Sequence, residues 1–274
     1  MAVVQDAGWQ PAVRNGGSTR CRLAAGGTQE IEMLPNPTQL LEKIDCSLPL
    51  IGFYDAPEPL AFAPLVKPPP GKYKCIFDFY INWLNGETLH LTKDNFGCGG
   101  CGTWLFGVKT RSRAEYLKFL VDGEGLKASH ELMNQWLDHH QPYQPEHQHI
   151  LMGPLRDDQY QYLKSVTFYV NPDQLGALML GAQYYSSPSD PTPVLAPFGS
   201  GCMELLPLFN DLQIPQAIIG ATDIAMRQFL PPDLLAFTVT KPMFERLCNL
   251  DEKSFLYKPF WKNLRQVRGL DKEN

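Results

Sequence analysis

The sequence predicts an α/β fold, with a mixed α+β arrangement as the alternative, in which two strand–helix–strand pseudo-repeats pack as one compact domain. Short apolar runs of strand length alternate with amphipathic stretches of helical length along most of the 274 residues. The order strand, helix, strand occurs twice, and in both cases a glycine-rich turn that carries cysteine follows. A hydrophobic share of 44% is ordinary for a globular protein and sufficient for a substantial core.

The first half begins with a short predicted helix at 37–44 and continues into an apolar strand at 48–55. The proline-rich stretch 56–72 is typical of an extended loop. Residues 73–87 place cysteine and aromatic side chains on one helical face, and the alternating residues 88–92 predict the next strand.

A helical segment at 111–150 joins the two halves and ends in a polar, histidine-containing linker. The second half opens with an apolar strand at 165–170. A helix is predicted at 171–185, with Asn171 as its cap and Pro172 at its first position. The remaining predicted elements are a strand, a turn and a short helix within 192–209, strands at 215–221 and 234–240, and a helix at 241–250.

The predicted organisation is one globular domain at 34–262, made of halves at about 40–110 and 160–250. Residues 1–33 are rich in glycine, alanine, glutamine and arginine without an apolar period, and we expect a disordered or non-native extension there. Residues 263–274 are expected to form a frayed tail.

Composition argues against several functional classes. A formal net charge of −5 argues against a general nucleic-acid-binding protein, which normally carries a basic surface. No apolar run reaches the ~18 residues of a membrane span, and the N-terminal residues lack the apolar centre of a secretory signal. We therefore expect a cytoplasmic protein that binds neither nucleic acid nor membrane. The seven cysteines are then more consistent with free, metal-bound or catalytic thiols than with disulfides. The oligomeric state is not indicated.

The motif FGCGGC places Cys98 and Cys101 two residues apart among glycines, a spacing that zinc and iron–sulfur sites use. The second half repeats a shorter version, FGSGC, which ends at Cys202. If the two halves face each other about a pseudo-dyad, these turns meet. The sequence thus predicts a metal site, for an iron–sulfur cluster or zinc, with Cys75 as the fourth ligand and Cys46 in reserve. The backbone amides of four glycines are expected to support the sulfurs, namely Gly97, Gly99, Gly100 and Gly201.

Three alternatives remain open for these cysteines. A C-x-x-C turn that opens a helix lowers the thiol pKa, so Cys98 and Cys101 are also candidate catalytic residues of a thiol-dependent oxidoreductase, as nucleophile and resolving thiol. A small-anion-binding module is the second alternative, with Arg227 as anchor of the ligand and Asp223 as the cap of the same helix. Inert cysteines buried in tight turns are the third. A metal or another small molecule is therefore the expected partner.

Histidines are weaker candidates. His90 lies on the strand that leads into the glycine turn and is a candidate nitrogen ligand or proton donor, although an ordinary strand residue is the better explanation. Four further histidines fall in a stretch with the composition of a solvated loop, namely His139, His140, His147 and His149.

Several segments resemble the family known as domain of unknown function 169. They are LPLIGFYD, the helix that carries Cys75, CGGCGTWLFGV, MGPL, VNPDQLGALMLGA, FGSGC and IIGATDIAMRQFLPPDLLAFTV. The resemblance extends in order from about Leu40 to Leu250 and implies a soluble α/β protein. It also implies that Cys75, Cys98 and Cys202 occupy cysteine positions of the family, with Cys101 less securely among them. It implies no particular reaction.

Overall fold

The computed structural model describes residues 35–209 and 211–271, and the predicted N-terminal extension lies outside them. Within the described residues eight strands form one sheet in the order β2-β3-β4-β1-β5-β8-β7-β6. The strands are β1 (Ile51–Ala56), β2 (Leu65–Val66), β3 (Thr88–Leu91), β4 (His149–Pro154), β5 (Leu163–Val170), β6 (Val194–Leu195), β7 (Ala217–Gly220) and β8 (Leu235–Thr240). The α-helices are α1 (Thr38–Ile44), α2 (Tyr80–Leu84), α3 (Gly99–Phe106), α4 (Arg113–Leu117), α5 (His130–His139), α6 (Pro172–Gln183), α7 (Ile224–Arg227), α8 (Lys241–Cys248) and α9 (Pro259–Val267).

The α/β class predicted from the sequence is confirmed. Both faces of the sheet are covered, since successive side chains along most strands belong to two different hydrophobic clusters. Phe53 and Met152 belong to the cluster that also contains Trp83 of α2 and Trp104 of α3. On the other face, Phe168 and other side chains contact residues of α6, α8 and α9.

The strands show the same arrangement on both sides of the central β1–β5 pair. From β1 outward the order is β4, β3, β2, and from β5 outward it is β8, β7, β6. In each half only the outermost pair is parallel, and all the other pairs are antiparallel. Topologically, β3 therefore corresponds to β7, and β2 corresponds to β6.

The sequence predicted that the two cysteine turns occupy equivalent positions in the two halves. The sheet topology shows that this prediction is wrong. The FGCGGC turn follows β3, whereas FGSGC lies between β6 and β7 and so precedes the corresponding strand. The two helices used to align the halves also occupy different places, since α2 follows β2 whereas α6 precedes β6. The topological counterpart of the Cys202 turn is the segment around Cys75, and that of the Cys98 turn is the loop that leads into α7.

Several element boundaries differ from the predictions. Strand β4 was missed, because its apolar residues directly follow the polar linker. The predicted helix at 73–87 begins as a 3-10 helix, Ile76–Phe79, before α2. Helix α9 continues beyond residue 262, where the sequence placed the start of a tail. Residues 201–208 form turns instead of the predicted short helix. Among the described residues, no helix combines the length and apolar character that crossing a bilayer requires.

Candidate functional site

A cavity of about 510 Å³ lies between the start of α3, the turn at 199–203 and the start of α7. Three of the four predicted ligand cysteines line it, namely Cys75, Cys98 and Cys202. The fourth, Cys101, has no exposed surface and does not line the cavity. The structure thus brings together cysteines that are far apart in the sequence.

Cys98 is the N-cap of α3, and its sulfur accepts a hydrogen bond from the backbone N–H of Cys101 at 3.5 Å. The glycine before it, Gly97, has φ +82°, in the left-handed region, and a Cβ added there would lie 2.7 Å from the carbonyl oxygen of Lys74. Glycine is therefore required at this position for the chain to enter the helix. The helix ends at Gly107, which is also left-handed.

Three sulfur atoms converge at the start of α3. A Cβ built on Gly100 would lie 3.4 Å from Cys202 Sγ and 3.8 Å from Cys98 Sγ, so both sulfurs lie over the same backbone position. The thiol of Cys101 lies within hydrogen-bonding reach of both. The hydroxyl of Ser200 lies 3.4 Å from Cys202 Sγ on the other side.

The environment separates the pKa values of the two cysteines of the C-x-x-C motif. The Cys101 thiol donates to Cys98 and, together with the backbone amides of Cys101 and Gly100, lowers the pKa of Cys98 to about 6 despite burial. Burial, followed by the hydrogen bonds to Cys202 and Cys98, raises the pKa of Cys101 well above its ordinary value. The surroundings therefore favour a thiolate at Cys98 and a neutral thiol at Cys101.

Cys75 has a different character. It precedes the 3-10 helix between β2 and β3, and burial raises its pKa to about 12. The neighbouring Cys98 and Cys202 add to this effect. Cys75 is therefore a neutral thiol at the edge of the cavity.

Two buried or half-buried carboxylates hold the Cys202 turn in place. Asp223 accepts from the backbone N–H of Gly201 at 3.0 Å and from that of Ala225 at 2.9 Å, which also caps α7. Glu204 accepts from the Ala221 N–H and from the Thr222 hydroxyl, both at 2.7 Å. These bonds attach the turn at 199–203 to the loop that follows β7.

Glu204 was not identified from the sequence. Its carboxyl is 2% exposed, and burial raises its pKa to about 7. Ala221, whose N–H it accepts, has φ +61°, a conformation that residues other than glycine rarely adopt. Nothing in the local sequence distinguishes Glu204 from a surface glutamate, because its partners come from a strand end that is distant in the chain.

Residues 53–249 match the family known as domain of unknown function 169, which is described as an uncharacterised ArCR family. This match spans more than half of the chain. The chain belongs to this family. No curated protein and no solved structure matches it. All four cysteines of the predicted site lie within the residues that match domain of unknown function 169.

In this member of domain of unknown function 169, three of the four predicted glycines line the cavity, namely Gly99, Gly100 and Gly201. Gly97 lies outside it and shapes the entry to α3. Arg227 does not line the cavity either. Its guanidinium donates to the backbone carbonyls of Ala221, Pro231, Pro232 and Leu234. The expected ligand-anchoring role of Arg227 is corrected accordingly, because its donors are used within the protein.

The histidines do not join the cysteines. The ring of His90 lies 3.0 Å from that of His149, and neither lines the cavity. The linker is more ordered than its composition indicated. Buried Asp55 accepts from the Tyr143 hydroxyl and from the backbone N–H groups of Glu146 and His147. The reserve ligand, Cys46, packs in the cluster on the opposite face of the sheet.

Much of the cavity wall was not predicted from the sequence, because its aromatic residues have the pattern of any hydrophobic core. A π-helical turn, Lys118–Gly123, follows α4 and contributes Phe119, and turns of this kind occur frequently at functional sites. Trp136 of α5 contacts Phe198 with ring centroids 5.0 Å apart, and both line the cavity.

The cysteine cluster does not have the arrangement of a preformed metal site. Within residues 35–209 and 211–271, no group of three or more His, Cys, Asp or Glu side chains is placed to hold a metal ion. Instead, the Cys98 sulfur accepts from the Cys101 backbone N–H, and the Cys202 sulfur lies beside the Ser200 hydroxyl.

Proposed function

We propose that this protein is a thiol-dependent oxidoreductase in which Cys98 is the nucleophile and Cys101 the resolving thiol. The observation that carries the proposal is the N-cap position of Cys98, whose sulfur accepts from the Cys101 thiol and backbone amide and faces the cavity. A partly exposed thiolate at a helix N-terminus beside a buried thiol is the arrangement that favours thiol–disulfide exchange.

The reaction with a disulfide substrate has two steps. The Cys98 thiolate attacks one substrate sulfur, the substrate S–S bond breaks, and one half leaves as a thiolate that takes up a proton. Cys101 then loses its proton and attacks Cys98 Sγ, which releases the second half and forms the Cys98–Cys101 disulfide. Two electrons pass from the protein to the substrate, and an external thiol restores the protein.

Equilibration of the protein in glutathione buffers of graded potential, followed by alkylation and mass spectrometry, tests this function. We expect the reversible loss of two thiols, located at Cys98 and Cys101, and abolition of this transition in the C98S and C101S variants. The C248S variant is the matched control, because Cys248 lies on α8 outside the cavity. A protein in which Cys98 and Cys101 stay reduced at every potential contradicts the proposal.

A metal site is the second candidate, supported by the three cysteine sulfurs that line one cavity beside the Cys101 thiol. In this proposal Cys75, Cys98, Cys101 and Cys202 hold an iron–sulfur cluster or zinc after a small rearrangement of the turns. Anaerobic purification with iron, sulfide and zinc analysis tests it. A colourless, metal-free protein with four freely titratable thiols at these positions rules it out.

A further inference from the structure

The wall of the cavity is rich in aromatic side chains. Six rings line it, those of Phe77, Tyr116, Phe119, Trp136, Phe198 and Phe229. Its volume of about 510 Å³ falls in the range of pockets that enclose small organic molecules. Cys98 lies at the wall of this space rather than on an open surface, so a small molecule reaches its sulfur more readily than a protein disulfide does.

The charges of the wall disfavour an anionic ligand. Arg111 is the basic residue that lines the cavity within the described part of the chain, and its guanidinium lies over the ring of Phe119 at 4.3 Å. The acidic lining residues are Glu124 and Asp223. Negative groups therefore outnumber positive ones, which is opposite to the lining that a nucleotide or another phosphorylated molecule needs.

Polar groups without net charge are also present. The hydroxyls of Thr110 and Thr222 belong to lining residues and donate to the Gly99 carbonyl and to Glu204, so each oxygen can still accept a hydrogen bond from a ligand. Aromatic walls and a few hydroxyls match an aromatic molecule with one or two polar substituents, and the excess of acidic lining residues argues against an anionic one.

We propose that the cavity binds a small, uncharged, aromatic molecule and presents it to the sulfur of Cys98. This inference rests on the proposed function for its chemical step, in which the bound molecule carries the electrophilic sulfur that Cys98 attacks. It goes beyond that function in naming the substrate class.

Disulfide probes of different character test the substrate class on the full chain. Dithiodipyridine is uncharged and aromatic, dithiobis(nitrobenzoate) is aromatic and dianionic, and hydroxyethyl disulfide is uncharged and aliphatic. The Cys98-dependent rate is the difference between the wild type and C98S, and each rate is divided by that of glutathione with the same probe. This ratio removes differences in the intrinsic reactivity of the probes.

We expect the ratio for dithiodipyridine to be about tenfold higher than the ratios for the other two probes. We also expect the rate of reaction with dithiodipyridine to saturate as its concentration rises. F119A lowers this ratio, because Phe119 lines the cavity and is 40% exposed, so that its removal leaves the core intact. F260A is the control, since Phe260 is 90% exposed and lies outside the cavity. Equal ratios for the three probes, or equal rates for F119A and F260A, overturn the proposal.

A binding measurement without thiol chemistry separates the two proposals. Phenylnaphthylamine is uncharged, aromatic and fluorescent in apolar surroundings, and we expect saturable binding to C98S that F119A weakens. If this binding occurs while Cys98 reacts as an ordinary thiol, the oxidoreductase function fails and the aromatic ligand class stands. If Cys98 is reactive but neither dithiodipyridine nor phenylnaphthylamine saturates, the ligand class fails and the redox function stands.

Discussion

Cys98 illustrates how two neighbouring groups determine the chemistry of one residue. The thiol of Cys101 is the largest contributor to the lowered pKa of Cys98, ahead of the backbone amides at the start of α3. Burial acts in the opposite direction on the same group. The balance favours the thiolate, because hydrogen bonds to a charged sulfur in partly buried surroundings are stronger than those to a neutral thiol.

We expect C101A to raise the midpoint of Cys98 alkylation from about pH 6 toward the ordinary thiol value, because the largest stabilising donor is lost. C101S retains a donor at the same position and is expected to keep a lower midpoint than C101A. Rates of iodoacetamide labelling across pH, read from the Cys98 peptide, measure the effect. Identical midpoints in wild type and C101A would show that the helix start alone stabilises the thiolate.

The raised pKa of Glu204 can be tested through the pH dependence of the free energy of unfolding. Its pKa is 4.5 in ordinary surroundings and about 7 in the folded protein, so the folded state binds an additional proton between these values. The stabilising contribution of Glu204 to the free energy of unfolding is therefore fully present below about pH 4.5 and is lost as pH rises through about 7. Relative to E204Q, which does not titrate, we expect the wild type to lose about 3 kcal/mol of unfolding free energy across this window.

Urea denaturation of wild type and E204Q at several pH values measures this difference. E252Q is the control, because Glu252 is an exposed residue outside the network, and its profile should follow that of the wild type. Parallel profiles for wild type and E204Q would mean that Glu204 stays ionised in the folded protein throughout the window.

At the scale of elements, the site depends on how closely the turn at 199–203 approaches the segment around Cys75. A Cβ added to Gly201 would meet the side chain of Met226 and lie 2.7 Å from the ring of Phe77. The turn is held at this distance by the hydrogen bond from Gly201 to Asp223. The close approach places Cys202 beside Cys101, so the glycine is a requirement of the site as well as of packing.

We expect G201A to lower the free energy of unfolding by about 1–3 kcal/mol through overpacking and to increase the labelling of Cys202, which is 5% exposed in the intact turn. G176A is the matched control, because Gly176 lies in α6 and a Cβ there meets no atom within 4 Å. Alanine favours helix, so G176A should be neutral or stabilising by up to about 1 kcal/mol. Equal unfolding free energies for both variants would contradict the packing argument.

At the scale of the whole molecule, the hydrogen-bond network that fixes the linker before β4 is separate from the residues that line the cavity. The linker is fixed by Asp55 on the central strand β1, whose carboxylate accepts from the Tyr143 hydroxyl, two backbone N–H groups and the ring of His147. None of the residues in this network lines the cavity. We therefore expect the network to contribute to stability without changing the pKa of Cys98.

D55A is expected to reduce the free energy of unfolding by at least about 3 kcal/mol, because it leaves several donors around a fully buried position without a partner. The alkylation midpoint of Cys98 in the folded variant should match that of the wild type. D173A, which removes an exposed ion pair with Arg268, should cost less than about 1 kcal/mol. A shifted Cys98 midpoint in D55A would indicate that the two regions are coupled.

The sequence by itself determined the features that depend on neighbours along the chain. The α/β class follows from the period of the apolar residues, and the cap of α6 follows from Asn171 and Pro172, both of which the structure confirms. The position of Cys98 at the start of a helix likewise follows from the glycine turn, because the hydrogen bonds that lower a thiol pKa come from the next three residues.

Only the tertiary structure decided which distant groups meet. The sequence aligned the two cysteine turns as equivalent, but the sheet pairs the Cys202 turn with the segment around Cys75. It also assigned Arg227 to a ligand, whereas the guanidinium binds backbone carbonyls. The aromatic cavity and the buried carboxyl of Glu204 arise from the packing of loops at the ends of separate strands. Their partners lie far apart in the chain, and no local periodicity or propensity encodes such contacts.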